Sequence, residues 1–157
     1  MTSPGSPLQQ IEREVQLRAT RSAIDVDTPQ GAEDLRRLIA DVVADRIDEH
    51  RRGSRPVALA DPDGVSDRAF RNLARYGPLT ELLEDDDVWE IMVNAPDEIF
   101  VRRHSGGSRF HHEVFHDDDH VARTLTKLLE DSTTSHRKLD PTEGLQDAQL
   151  DDGARLH

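Results

Sequence analysis

Residues 76–99 read Y-G-P-L-T-E-L-L-E-D-D-D-V-W-E-I-M-V-N-A-P-D-E-I, and this stretch decides the fold. It begins with a short leucine-bearing helix, which we place at Pro78–Leu83, and continues into the acidic cluster Asp85–Asp87. The next residues, Val88–Val93, are apolar except for Glu90. A strand that is apolar on both faces is usually covered on both sides. The pattern therefore predicts a strand at the centre of a sheet.

The residues that follow predict two more strands and a helix. Asn94–Asp97 is expected to turn the chain into a second strand at Glu98–Arg103. The glycine pair within Ser105–Ser108 indicates a hairpin that leads to a third strand at Arg109–Phe115. Asp117–Asp119 is expected to open a helix, because carboxylates complement the positive end of a helix dipole. The expected buried face of this helix consists of Val121, Ala122, Leu125, Leu128 and Leu129.

The C-terminal residues predict a hairpin. Leu145–Leu150 has the pattern of a strand, Asp151–Gly153 that of a tight turn, and Ala154–His157 would begin the return strand. Only four residues are left for that return strand. We therefore expect the last hairpin to be incomplete and the chain to be a fragment.

The N-terminal part predicts helices. Residues 1–7, rich in Ser, Pro and Gly, are expected to be disordered, and a weak helix with a thin apolar stripe should follow. Thr28-Pro29 predicts a helix start, because Thr can cap the first free amides and Pro tolerates the first helical position. The amphipathic helix that follows, Glu33–Glu49, should end near Gly53. Its apolar face consists of Leu35, Leu38, Ile39, Val42, Val43 and Ile47.

Two parts of the chain are expected to be separated by a loop at Arg55–Ser66, which contains Asp61-Pro62. We assign residues 1–54 to an N-terminal arm that is partly disordered and then helical. Residues 67–157 form the main domain, which begins with a helix at Asp67–Arg75. The order of helical arm, helix, three strands, helix and two strands predicts an α+β fold. In it, a small, mainly antiparallel sheet has helices packed on one face.

The composition excludes several classes of function. The formal net charge of −12 opposes nucleic acid as a partner, because binding to a duplex requires a basic surface. A hydrophobic content of 34% allows one modest core rather than two full ones. The sequence has no cysteine and hence no thiolate metal ligand, which is compatible with a reducing cytoplasm. Its apolar runs fall far short of the roughly 20 residues of a membrane helix.

Histidines cluster between His104 and His120, which raises the hypothesis of a metal centre. His116 and His120 are four residues apart, and His111 and Glu113 share one face of the predicted third strand. A zinc site needs three or four converging ligands, and His116 lies at the start of a helix rather than within it. We expect these histidines to be solvent-exposed strand ends and caps. A histidine-based metalloenzyme is kept as an alternative.

The other candidate chemistry is weak. Asp85–Asp87 and Asp117–Asp119 lie where a turn and a helix start accommodate acids, and the alternating pattern of a calcium loop is absent. A P-loop requires Gly-Lys followed by Ser or Thr. Neither lysine of the chain, Lys127 or Lys138, follows a glycine. The chain therefore lacks a phosphate-cradling loop and is not expected to hydrolyse ATP by itself.

Three features occur together in the order and at the spacing typical of one family. The first is G-P-L-T-E-L-L-E-D-D-D-V-W-E-I-M-V-N-A-P-D-E-I-F-V at Gly77–Val101, and the second is the helix after Phe115. The third is L-D-P-T-E-G-L-Q-D-A-Q-L-D-D-G-A-R-L-H at Leu139–His157. This set resembles the N-terminal domain of the secretion ATPases, and most closely the CpaF-type ATPases of tight-adherence pilus assembly in the type II/type IV secretion group.

The resemblance implies a place in a larger machine. In that family the N-terminal domain packs on a RecA-like motor domain, six subunits form a ring, and ATP with Mg²⁺ binds between the domains. This chain would be the regulatory and oligomerisation part, with no cofactor of its own. The implied partners are further copies, the motor domain and platform proteins of the inner membrane. The implied location is cytoplasmic, peripheral to the inner face of that membrane.

The resemblance also implies site residues, because basic side chains of this domain reach toward the ATP phosphates. Arg155 matches the arginine of the family's Asp-Gly-Ser-Arg, and Arg137 lies where a basic residue is often found. For each, an ordinary surface arginine is the alternative. Ala95 replaces the usual Gly, Gln149 replaces a common Arg, and the motor domain is absent. The competing hypothesis is a stand-alone interaction module that docks partners through the amphipathic helix 33–49.

Overall fold

The computed structural model describes residues 5–132, 148, 149, 151 and 154–156. The chain divides into two compact units, residues 1–77 and residues 78–157. The sequence had placed the main domain's start at residue 67. The division lies later because the helix predicted at Asp67–Arg75 packs with the N-terminal helices instead.

Three α-helices make up the first unit: α1 (Pro7–Arg21), α2 (Pro29–Arg51) and α3 (Pro62–Ala74). Each begins with a capping side chain followed by proline at the first helical position, in Ser6-Pro7, Thr28-Pro29 and Asp61-Pro62. This confirms the predicted start at Thr28. The predicted loop 55–66 is shorter than expected, because Asp61 accepts a hydrogen bond from the Gly64 N–H at 3.0 Å and starts α3 there.

The three helices enclose a common apolar core. Its buried members are Ile11, Val15, Leu35, Ile39, Val42, Val43, Ala69, Phe70 and Ala74. The apolar face that the sequence predicted for α2 is thus covered within its own unit. Leu17 of α1 is 57% exposed and lies off that core.

A 3₁₀ turn that begins at Gly77, the last residue of the first unit, leads into the second unit, which contains a sheet and further helices. The order is the 3₁₀ turn Gly77–Leu79, α4 (Thr80–Leu83), β1 (Val88–Ala95), β2 (Glu98–Arg103), β3 (Arg109–Phe110) and α5 (Asp118–Asp131). The three strands are antiparallel in the order β1-β2-β3. Helices together with a small antiparallel sheet make this an α+β fold, as predicted.

The prediction that Val88–Val93 is the central strand was wrong. In the described part of the chain β1 lies at an edge, and β2 pairs on both sides. Ile99 and Val101 of β2 are each 1% exposed, whereas Trp89 of β1 is 53% exposed. An apolar side-chain pattern does not reveal how many neighbours the backbone has, and β2 has the cleaner alternation of buried and exposed residues.

The third strand and the last helix also differ in detail from the prediction. The strand predicted at Arg109–Phe115 pairs only over Arg109–Phe110. Beyond it, the N–H of Phe115 donates to the Pro96 carbonyl at 2.8 Å, so the segment stays near the start of β2. On α5, Leu128 and Leu129 are buried as predicted. The other buried side chains are His120 and Thr124, while Ala122 is exposed.

The predicted C-terminal hairpin is present in its described residues. The short strands β4 (Ala148–Gln149) and β5 (Arg155–Leu156) pair antiparallel, with Gln149 opposite Arg155. Within the described residues they form a two-stranded sheet separate from β1-β2-β3. The turn residues Asp152 and Gly153 lie outside the described residues.

Candidate functional site

Of the two arginines expected near nucleotide phosphates, Arg155 lies within the described residues. Arg155 lies on β5 and is exposed to solvent. Arg137 lies outside the described residues. Their role in phosphate binding therefore remains a prediction that rests on the resemblance.

A cavity of about 170 Å³ lies in the helical unit, walled by α1, α2 and Arg55. The α1 wall is built at helical spacing, since residues three and four apart lie on one side of a helix. The same spacing builds the α2 wall. The lining residues are Gln10, Ile11, Glu14, Arg18, Val42, Asp45, Arg46, Glu49 and Arg55.

Two of the three cavity arginines are held by carboxylates. Arg18 bonds Glu14 at 2.8 Å and Asp45 at 3.2 Å, which joins α1 to α2. These two bonds, that to Glu14 first, raise the pKa of Arg18 above its ordinary value. Arg55, also in the lining, pairs with Glu49. The three carboxylates of the lining are therefore engaged with Arg18 and Arg55.

The third arginine, Arg46, is buried without such a pair. Arg46 is only 8% exposed, and its Nη2 donates to the Gln10 amide oxygen at 2.9 Å. Its Nε is buried and has no hydrogen-bond partner. Burial, and secondarily the charge of Arg55, lowers the pKa of Arg46, which Glu49 partly opposes. A buried guanidinium with an unsatisfied N–H donor is rare in folded proteins.

The sequence contained a signal for Arg46 that the prediction passed over. Arg46 follows Val42 by four residues and Val43 by three, so it falls on the apolar stripe of α2. A cation at such a position must be buried or distort the helix packing. The stripe itself was predicted, but the charged residue within it was not selected.

The histidines do not assemble a metal centre within the described residues, where no group of three His, Cys, Asp or Glu has suitable geometry. The Nε2 of His111 donates to the Pro78 carbonyl at 3.0 Å, which ties the third strand's end to the 3₁₀ turn. Burial first, and then the charge of His112, lowers the pKa of His111. The arrangement links elements of the second unit rather than presenting ligands.

One histidine contradicts the expectation of solvent exposure. His120 is 3% exposed and packs edge-on against Phe115. Its Nδ1 accepts a hydrogen bond from the backbone N–H of His116 at 3.2 Å. His120 instead lies in the first turn of α5, which Asp117 caps, and its side chain is on the inner face of the helix.

The acidic clusters serve the backbone, as the sequence predicted. Asp117 accepts the N–H of His120 at 2.8 Å and caps α5. Asp85 accepts from the guanidinium of Arg103 at 3.2 Å. Asp87 accepts from the hydroxyl and from the N–H of Ser105, and the hydroxyl bond is the main cause of its lowered pKa. These carboxylates fix a helix start and the β2–β3 turn.

The comparisons with known proteins leave the family open. No protein-family model matches the sequence. No curated protein matches it either. In the part of the chain that the structure describes, no helix combines the length and the apolar character that crossing a membrane requires.

Proposed function

We propose that this chain is the N-terminal regulatory and oligomerisation part of a hexameric secretion or pilus-assembly ATPase. The proposal rests mainly on the ordered motif at Gly77–Val101. Its Gly-Pro-Leu and Val-x-Glu-Ile-Met-Val-Asn-x-Pro segments resemble the sequence pattern of that family. The bounds of the observed helices and strands agree with that pattern. The 3₁₀ turn begins at Gly77, β1 contains the Glu-Ile-Met-Val core, and Pro96 lies in the turn before β2.

ATP hydrolysis, in this proposal, belongs to a motor domain outside this chain. The sequence has no Gly-Lys pair with which to cradle phosphates. The residues present thus fit a domain that contributes to a nucleotide site rather than one that holds ATP with its Mg²⁺ alone.

Arg155 is the residue that would reach the nucleotide. It is exposed on β5, and the paired strand β4 fixes its backbone. A guanidinium suits this task because it stays charged and binds phosphoryl oxygens as negative charge develops on them. Arg137 would contribute a second contact. ATP hydrolysis would yield ADP and phosphate. The resulting movement of the subunits would drive protein export or pilus assembly at the inner membrane.

The competing function, a docking module that uses helix 33–49, has less support. The apolar residues of that helix, Leu35, Ile39 and Val42 among them, already pack into the core of the helical unit. A partner could reach them only after the helices separate. What α2 leaves at the surface is mostly charged, and charged residues are depleted at the core of protein interfaces.

Light scattering of the purified chain separates the two functions. The ring-subunit proposal expects a monomer, or weak self-association that grows with concentration. A discrete dimer whose mass does not change with added nucleotide would favour the docking module.

The role of Arg155 is tested in the protein that joins this chain to its motor domain. Arg155→Ala should lower the rate of ATP hydrolysis roughly 10²-fold or more, as expected for loss of one preorganised donor to a phosphoryl group. Arg109→Ala is the matched control, since Arg109 is also an exposed strand arginine and should leave the rate unchanged. Equal rates for both variants would refute the assignment.

A further inference from the structure

The helical unit contains a buried cation whose hydrogen-bonding capacity is not used. Arg46 has its Nε–H inside the protein without an acceptor, and its Nη2 reaches only a neutral amide, that of Gln10. Burying a charge without an ion pair is costly, and leaving a donor unsatisfied adds to that cost. Such a group is stable in a fold when something else supplies the missing acceptor.

The size of the adjoining cavity limits what that acceptor is. Its volume of about 170 Å³ is several times the roughly 30 Å³ that a water molecule takes in the liquid. The same volume is below the roughly 300 Å³ of the smallest usual pockets for drug-sized ligands. A single group of a few heavy atoms fits, and it would lie against the Arg46 side chain that lines the cavity.

The charges around the cavity do not oppose an anion at this point. Glu14 and Asp45 are bound to Arg18, and Glu49 is bound to Arg55. The three arginines and three carboxylates of the lining cancel formally, so an entering anion meets no net negative charge. Arg46 is the lining arginine that has no carboxylate partner. A guanidinium prefers an oxyanion that accepts two parallel N–H bonds.

We propose that this cavity is a binding site for one small oxyanion, a phosphate or a carboxylate group, held by the Nε–H edge of Arg46. The anion would supply the acceptor that Arg46 lacks and would neutralise the one lining cation without a carboxylate. The site lies wholly within the helical unit, and it does not depend on the ATPase proposal.

Thermal unfolding of the full chain tests the site, with inorganic phosphate, acetate and chloride compared at equal ionic strength. Phosphate or acetate should raise Tm in a saturable way, by roughly 4 °C or more at several times its Kd, and chloride should not. A phosphate-only response identifies a phosphate site, and an acetate response identifies a carboxylate site. No saturable response to either anion would overturn the proposal.

Two variants make the test specific. Arg46→Met should abolish the anion-dependent shift, while Arg51→Met, which removes an exposed arginine of the same helix, should retain it. A shift that persists in Arg46→Met would overturn the site. Gln10→Glu places a carboxylate beside Arg46 within the protein itself. It should raise Tm in chloride and remove the response to added anion, and an unchanged response would also overturn the proposal.

Discussion

Replacing Gly31 by alanine should destabilise the helical unit, although alanine is the better helix former. Gly31 lies in the first turn of α2, and its N–H donates to the Thr28 hydroxyl oxygen at 3.0 Å. A Cβ on Gly31 would lie 2.5 Å from the carbonyl carbon of Asp25 and closer still to its oxygen. Since Cβ atoms essentially never come within 3.0 Å of another atom, the backbone at Asp25 has to move.

The opposing free energies can be compared. Alanine gains at most about 1 kcal/mol in helix propensity over glycine. The Asp25 carbonyl accepts the N–H of Thr28 at 3.3 Å and its hydroxyl at 2.9 Å. Each bond contributes roughly 0.5–1.5 kcal/mol, and the Thr28 cap that they hold contributes about 1 kcal/mol. The losses exceed the gain, and we expect Gly31→Ala to lower the free energy of unfolding by about 1–3 kcal/mol.

Urea unfolding of the full chain, followed by far-UV circular dichroism, measures this change. The matched control is Gly106→Ala, because a Cβ at Gly106 meets no atom within 4 Å. The control should stay within about 0.5 kcal/mol of the parent chain. A Gly31→Ala chain as stable as the parent, or more stable, would refute the reasoning.

Three further predictions concern the second unit. Asp117→Ala should lower the stability of α5 by about 1 kcal/mol in urea unfolding, because the His120 N–H loses its cap, and an unchanged midpoint would contradict this. The lowered pKa of Asp87 means that its stabilisation is present above about pH 4 and is lost as pH falls through the folded-state pKa. Asp87→Asn should flatten the stability profile there, and an identical profile would contradict the role of Ser105. The lowered pKa of His111 means that stability declines as pH falls below about 6.5, because the unfolded chain binds the proton first. His111→Gln, which can still donate to Pro78, should remove that slope.

Much of the fold was predictable because its signals are local. The Thr28-Pro29 start, the glycine near the end of α2 and the Asp117 cap each act within one turn of chain, and each is observed. The strand predicted after the Asn94–Asp97 turn likewise has the observed bounds of β2. Asp61-Pro62 was assigned to a loop, because Pro, Asp and Gly together are typical of turns even when they start a helix.

Most of the differences depend on which residues and strands pack together, which the local sequence pattern does not specify. The edge position of β1 depends on which strands pair, and the burial of His120 depends on Phe115 and on the side of α5 that packs inward. The sequence does not show that glycine is required at position 31, because the requirement comes from the close approach of the Asp25 backbone. Arg46 could have been found, since a charged residue on a predicted apolar stripe is visible in the sequence. The expected role of Arg155 came only from the resemblance.

The most direct test of the ATPase proposal is the coding sequence that follows the codon for His157. The proposal expects a reading frame there, the same or a neighbouring one, that encodes a glycine-rich loop ending in Gly-Lys-Ser or Gly-Lys-Thr. The encoded motor domain, joined to this chain, should then hydrolyse ATP. Downstream sequence without such a loop in any frame, or ATP hydrolysis by this chain alone, would contradict the proposal.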